Sequence, residues 1–273
     1  MTYCLVISGG SVKGFGLLGA IECILEKYDI SSFSSFFGTS IGSIIAYLLC
    51  IGYTPLEIIH KVHYFKVLYK VKTQIDIANI PTNKGIFNFE HILEELELMT
   101  LLKHHELFTF KSLYEYTGKE LCCITYNYSL QKVEILHYTT TPELPCLIGL
   151  RMSSSIPFVF DRFMYNNNIY IDGGIVDNFP IQIALKFHKI NIIGVVSTPT
   201  MDGTKTDKIS TFISNLIFIP IVEITRSTIH KYSKYFKIYE IPINYHFLNF
   251  NLTITDIMEM FSDGYNICKS LIN

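Results

Sequence analysis

The chain is predicted to fold as an α/β protein, a mostly parallel sheet with helices on both sides, and three adjacent stretches make that prediction. Tyr3-Cys4-Leu5-Val6-Ile7 is an unbroken, partly β-branched apolar run, the pattern of a strand buried on both faces. Leu17, Leu18, Ile21, Ile24 and Leu25 then recur at helical spacing. Residues 31–37 carry the chain into a second apolar run, which stops at Gly38 and leads through Ser40 into an aliphatic helix. Strand, helix, strand, helix is the order that such a sheet requires.

At 273 residues, with 49% hydrophobic side chains, the chain can fill a sizeable core. No repeat, low-complexity tract or linker divides it, so residues 1–273 are expected to form a single domain. A formal charge of −2 gives no field that would hold nucleic acid. The seven cysteines (Cys4, Cys23, Cys50, Cys122, Cys123, Cys146 and Cys268) are odd in number and show no C-x-x-C spacing. That speaks against a disulfide framework or a zinc site and for a reducing compartment. The first residues lack the basic region and cleavage site of a signal peptide, so a cytoplasmic location is expected. The apolar run at residues 217–221 contains Pro220 and falls short of the ~20 residues of a membrane span. It reads as a buried helix or loop.

Thr54-Pro55 opens a further helix, threonine as N-cap and proline at the first helical position, expected to reach about residue 72. His63, Lys66 and Lys70 share one face, while Ile58, Val62, Phe65 and Tyr69 cover much of the rest. Such a helix is either a lid packed on the core or a peripheral membrane contact with lysines toward lipid phosphates. Asn83 and Gly85 mark a loop before a helical pattern at residues 89–102. Residues 119–127 and 131–138 read as a β-hairpin. Residues 141–145 break the pattern and 147–154 suit a short helix. Residues 158–160 and 168–172 are expected to flank a turn at Asn166-Asn167-Asn168. A helix at 181–188, a strand at 190–196, a polar loop at 198–206, a helical stretch to about 232, a strand near 236–241 and a helix at 256–272 complete the chain.

Chemistry concentrates in three loops. Gly38-Thr39-Ser40-Ile41-Gly42 fits G-x-S-x-G, the nucleophile elbow, in which glycines let two backbone segments crowd together while the serine sits on the corner. Its other reading is a helix start with Thr39 or Ser40 as N-cap. The loop Gly9, Gly10, Ser11, Val12, Lys13 and Gly14 joins the first strand to a helix N-terminus, where free amides suit an oxyanion. Asp172, followed by Gly173 and Gly174, ends an apolar strand and is a turn residue or a base. An apolar site raises a carboxyl pKa and makes a direct Ser-Asp dyad workable without histidine. Gly14-Phe15-Gly16-Leu17-Leu18-Gly19 matches the dinucleotide fingerprint G-x-G-x-x-G, but Ser34, Ser35 and Phe36 stand where the acidic ribose ligand belongs. An ordinary α/β-hydrolase would place its serine after more strands. His188, His230 and His246 lie in no recognisable signature.

Together these residues resemble the patatin-like phospholipase family. The Gly9 to Gly14 loop resembles its glycine-rich motif, residues 38–42 its elbow, and Asp172-Gly173-Gly174 its Asp-Gly-Gly/Ala motif. Residues 152–160 and 175–180 resemble its flanking pieces. The resemblance spans about residues 3–196, with the blocks in family order, and residues 197–273 are expected to pack on the same domain. It implies a three-layer α/β/α fold, a catalytic Ser40-Asp172 dyad, an oxyanion hole in the Gly9 to Gly14 loop, and metal-independent, cofactor-free hydrolysis of acyl esters of lipids. The family usually has a third glycine where this chain has Ser11, which strains the loop if that position needs a positive φ. A lipid-binding scaffold without turnover, or a general esterase or thioesterase, is the alternative.

Overall fold

The computed structural model describes residues 2–65, 88–188, 191–198, 209–245 and 249–272. Along the chain these form β1 (Tyr3–Ile7), α1 (Gly14–Lys27), β2 (Phe33–Thr39), α2 (Ile41–Cys50), α3 (Pro55–Phe65), α4 (Glu90–His104), α5 (Phe110–Thr117), β3 (Glu120–Asn127), β4 (Lys132–His137), α6 (Cys146–Ser153), β5 (Phe163–Tyr165), β6 (Asn168–Asp172), α7 (Gly174–Asp177), α8 (Ile181–Phe187), β7 (Ile192–Ser197), α9 (Ile209–Tyr232), β8 (Lys237–Ile241) and α10 (Ile254–Ile272). The sheet order is β5-β6-β3-β2-β1-β7-β8, with β4 beside β3. The run from β3 through β8 is parallel, and β4, β5 and β6 are antiparallel additions.

Period-two alternation along the central strands sorts apolar side chains onto two cores. Leu5, Ile7, Phe36, Leu121, Cys123, Ile193 and Val195 face the larger one, with α1, α2, α4 and α10. Cys4, Val6, Phe37, Cys122, Ile124, Ile192 and Val196 face the other, with α8 and Ile229 of α9. This is an α/β fold with a mixed central sheet and flanking helices, as expected. The glycine faces of α1 and α10 bring those helices to backbone contact: a Cβ on Gly264 would fall on the Gly16 carbonyl, and one on Gly19 on that of Phe261. Ile257, Met260 and Cys268 of α10 are thereby buried in the larger core. All seven cysteines are buried free thiols.

The register of β3 positions Ser40 and Asp172. β2 pairs with the first half of β3 as far as Thr39 opposite Ile124, and β6 pairs with the next residues, starting at Asp172 opposite Thr125. β2 ascends and β6 descends on the same edge of β3, so the end of one meets the end of the other.

Thr54 caps α3 as expected: its Oγ1 accepts the Glu57 amide at 3.1 Å, and the Glu57 carboxylate accepts the Thr54 amide at 2.8 Å, a full capping box. The expected continuation to residue 72 with Lys66, Tyr69 and Lys70, the loop with Asn83 and Gly85, and most of the loop at 198–206 lie outside the described residues.

Two expectations need correction. The strand before the asparagine turn is β5, not residues 158–160; there the Val159 and Phe160 amides turn back onto the Ile156 carbonyl at 3.2 and 3.0 Å, and Phe158 sits at φ 67°. Residues 217–221 belong to α9, which is buried along only one side: Val222, Thr225 and Ile229 point inward while Leu216, Ile219 and Ile224 are exposed. The short helices α5 and α7 were not foreseen. Among the described residues, no single helix is long and apolar enough to cross a membrane.

Candidate active site

Ser40 sits between β2 and α2 at φ 55°, ψ −128°, a conformation that costs a non-glycine residue on the order of 1–3 kcal/mol. Local crowding enforces it. A Cβ on Gly42 would lie 2.5 Å from the carbonyl oxygens of both Ile7 and Ser8, so α2 starts directly against the end of β1. Ser40 stands at the N-cap position of α2, yet its side chain makes no capping hydrogen bond. Thr39 does not cap the helix either, since its Oγ1 donates to the Asp177 carbonyl at 2.9 Å. The hydroxyl of Ser40 is left for other work.

Asp172 is 4% exposed, at the end of β6. Its Oδ1 accepts the Gly174 amide at 2.7 Å, while Oδ2 is buried and accepts no hydrogen bond of ordinary geometry among the described residues. Burial pushes its pKa up to about 6, and the nearby Ser40 hydroxyl and the Gly174 amide offset that only in part. Ser40 and Asp172 line one cavity of about 80 Å3, together with Gly9, Gly10, Ser11 and Lys13.

The end of α6 and the residues just after it fasten both Ser40 and Asp172. Ser153 Oγ accepts the Ser40 amide at 3.0 Å and donates to the Ile124 carbonyl at 2.7 Å, filling the place in the ladder where β2 leaves β3. The Asp172 amide donates to the Ser155 carbonyl at 2.9 Å. In the sequence both serines fall within the block at residues 152–160, which shows no role for them. Their bonds connect residues too distant along the chain for any local pattern to show.

In the Gly9 to Gly14 loop, some amides are already engaged. That of Gly9 donates to the Asn178 carbonyl at 2.9 Å, that of Lys13 to the Gly10 carbonyl at 3.0 Å, and that of Gly14 to the carbonyls of Ser11 and Val12. The amides of Gly10, Ser11 and Val12 have no backbone acceptor among the described residues. Ser11 is at φ 50°, the positive value that the missing glycine would have tolerated freely.

A second cavity, about 170 Å3 and almost wholly apolar, opens from Ser11 and Ser40 and runs between α2 and α4. Ile41, Ile44, Ile45 and Leu48 follow one another down its α2 wall, and Phe89, Ile92, Leu96 and Met99 down its α4 wall. His188 is elsewhere: its Nε2 is 2.7 Å from Glu120 Oε2 at the opposite end of β3. His230 is in the last turn of α9, and His246 lies outside the described residues.

The patatin-like phospholipase family model matches residues 5–185. A probable lipid hydrolase, 463L of Invertebrate iridescent virus 6, is 42% identical over 186 residues, 67% of this chain and 63% of that protein. The chain thus spans under two thirds of that relative's length. Among solved structures, VipD from Legionella pneumophila superposes with a TM-score of 0.59 at 16% identity, covering 99% of this chain and 66% of VipD. ExoU in its complex with SpcU from Pseudomonas aeruginosa gives 0.53 at 14% identity, covering 99% and 51%. These two likenesses concern the fold.

Proposed function

Because the chain belongs to the patatin-like phospholipase family, we propose that it hydrolyses fatty acyl esters of lipids through Ser40 and Asp172, by way of an acyl-enzyme. Ser40 Oγ attacks the ester carbonyl carbon as its proton passes to Asp172 Oδ2. The carbonyl π pair moves to the oxygen, where the amides of Gly10, Ser11 and Val12 hold the charge. The pair returns, the C–O bond to the alcohol breaks, and the alcohol leaves with the proton from Asp172. Water then attacks the acyl-enzyme, giving a proton to Asp172, and the fatty acid departs as Ser40 regains its proton.

The handover of β3 from β2 to β6 carries this reading, because it puts a strained, uncapped serine and a desolvated carboxyl on one cavity. The two cavities suggest how the ester is oriented. The apolar one suits the acyl chain, with Leu48 and Met99 as its floor, since Leu48 lies eight residues, roughly 12 Å of helix, beyond Ser40. The other, whose wall includes Lys13, suits the alcohol half, on which an ammonium favours a phosphate.

A fluorophosphonate probe and a mixed lipid extract test the proposal together. Labelling confined to Ser40 and lost in Ser40→Ala, with fatty acid released from the extract, is expected. Equal labelling of wild type and Ser40→Ala refutes the assignment. Flotation on lipid vesicles without labelling and without release of any fatty acid would favour a lipid-binding protein of the same fold.

A further inference from the structure

Ser11 carries two features that work against stability. Its φ of 50° is one that serine adopts only under constraint, and its Oγ is buried with no hydrogen-bond partner among the described residues. Glycine at this position would remove both. Strained residues and unsatisfied buried polar groups cluster at active sites and ligand clamps.

The place narrows what that atom is. Ser11 lines both cavities, and the residues that share this property with it are Ser40 and Ile156. An ester under attack by Ser40 has its acyl half in one cavity and its alcohol half in the other, so the carbonyl group itself lies at the junction. Among the described residues the Ser11 amide has no backbone acceptor there. The Ser11 hydroxyl, unsatisfied among the described residues, is a second donor of the same residue, and it can rotate to follow the oxygen as it pyramidalises.

We infer that Ser11 stabilises the oxyanion twice, through its N–H and through its Oγ–H, so that this chain has a side-chain donor where a glycine would offer the amide alone. The inference rests on the Ser40 reading. A hydroxyl that donates only weakly to a neutral carbonyl and strongly to an oxyanion acts on kcat more than on KM.

The test compares wild type, Ser11→Ala and Ser11→Gly, all full length, with a soluble fatty acyl ester and with the fluorophosphonate, whose phosphoryl oxygen occupies the same place. Ser11→Ala keeps the strained backbone and loses the hydroxyl; Ser11→Gly loses both. In both variants kcat is expected to fall on the order of a hundredfold, with KM within about a factor of two and Ser40 labelling slowed in parallel. Ser11→Gly should melt no lower than wild type, which separates the loss from unfolding. Wild-type kcat and labelling rate in either variant overturn the inference while leaving the Ser40 reading intact. Absence of labelling at Ser40 in the wild type removes both.

Discussion

Replacing Asp172 with asparagine should make the protein inactive and, above about pH 6, more stable. Burial holds the Asp172 pKa at about 6, against an ordinary 3.8. Between those values the unfolded chain has released a proton that the folded one retains, so stability falls as pH rises through this window. The carboxyl is harmless below pH 3.8, and above pH 6 its buried charge costs about 3 kcal/mol, from 1.36 kcal/mol per unit of pKa. Asparagine cannot ionise, and its Oδ1 can still accept the Gly174 amide. Asp172→Asn should therefore gain up to about 3 kcal/mol at pH 8, a rise in Tm of roughly 6 °C for a chain of this size, and almost nothing at pH 4. Asp177, which burial also raises to about 6 against the Phe179 amide and the Lys186 charge, leaves a similar slope in both proteins. On the proposed mechanism the same ionisation governs activity, since only the carboxylate can take the proton of Ser40. Wild-type kcat/KM should rise with pH to a plateau above about 6, and the variant should lose roughly 100- to 10,000-fold. Thermal melts at pH 4, 6 and 8, with an esterase pH profile, measure both effects. A variant less stable than wild type at pH 8, or wild-type activity flat from pH 4 to 8, refutes the reasoning.

Further predictions concern the supports of the site. Ser153→Ala leaves the Ser40 amide and the Ile124 carbonyl unpaired, so stability should fall by about 1–3 kcal/mol for each group, and kcat should fall more than KM changes; denaturant unfolding and esterase kinetics read the two effects. Gly42→Ala places a methyl 2.5 Å from two carbonyl oxygens of the β1 end and should cost about 1–3 kcal/mol by denaturant melt, with loss of Ser40 labelling as the elbow opens. Leu48→Phe fills the floor of the apolar cavity. The ratio of palmitoyl to butyryl ester hydrolysis should drop roughly tenfold, because each excluded methylene forgoes about 0.8 kcal/mol.

What the sequence disclosed depended on the range of the forces involved. β1 and the elbow were legible because an apolar strand buried on both faces and a glycine-bounded turn are written in consecutive residues. The capping box of α3 was half legible, through Thr54 and Pro55, although its partner Glu57 went unremarked. α5 escaped because Ser112 fills the place that glutamate or glutamine usually takes in its box with Thr109. Phe158-Val159-Phe160 resembles a strand by composition, but a buried arginine decides otherwise. The Arg151 guanidinium donates to Ser155 Oγ at 2.9 Å and to the Asp161 carbonyl at 2.6 Å, and stacks 4.5 Å from the Phe89 ring, pinning the chain on either side of the turn. The positive φ of Ser11 was anticipated as a condition and is observed, whereas its orphaned hydroxyl depends on residues far away in sequence.

A two-residue dyad places a demand on the scaffold that a histidine triad does not. Aspartate in water is too weak a base for an alcohol, so such a site works only if the carboxyl is desolvated and already aimed. On the proposed reading, both conditions come from β3 and not from the loops around it. Ile124 and Thr125 are consecutive, and their pairing partners are the residue before Ser40 and Asp172 itself, so one peptide step sets the separation of nucleophile and base. Thr125 reinforces that step, its buried Oγ1 lying 3.1 Å from the carbonyls of both Met152 and Ile171 and so tying β6 to α6. A loop-borne base can drift by an ångström at little cost, but slipping β3 by one residue would break both ladders and turn Ile124 and Thr125 to the wrong faces. The geometry that makes a weak base sufficient is then as stable as the sheet.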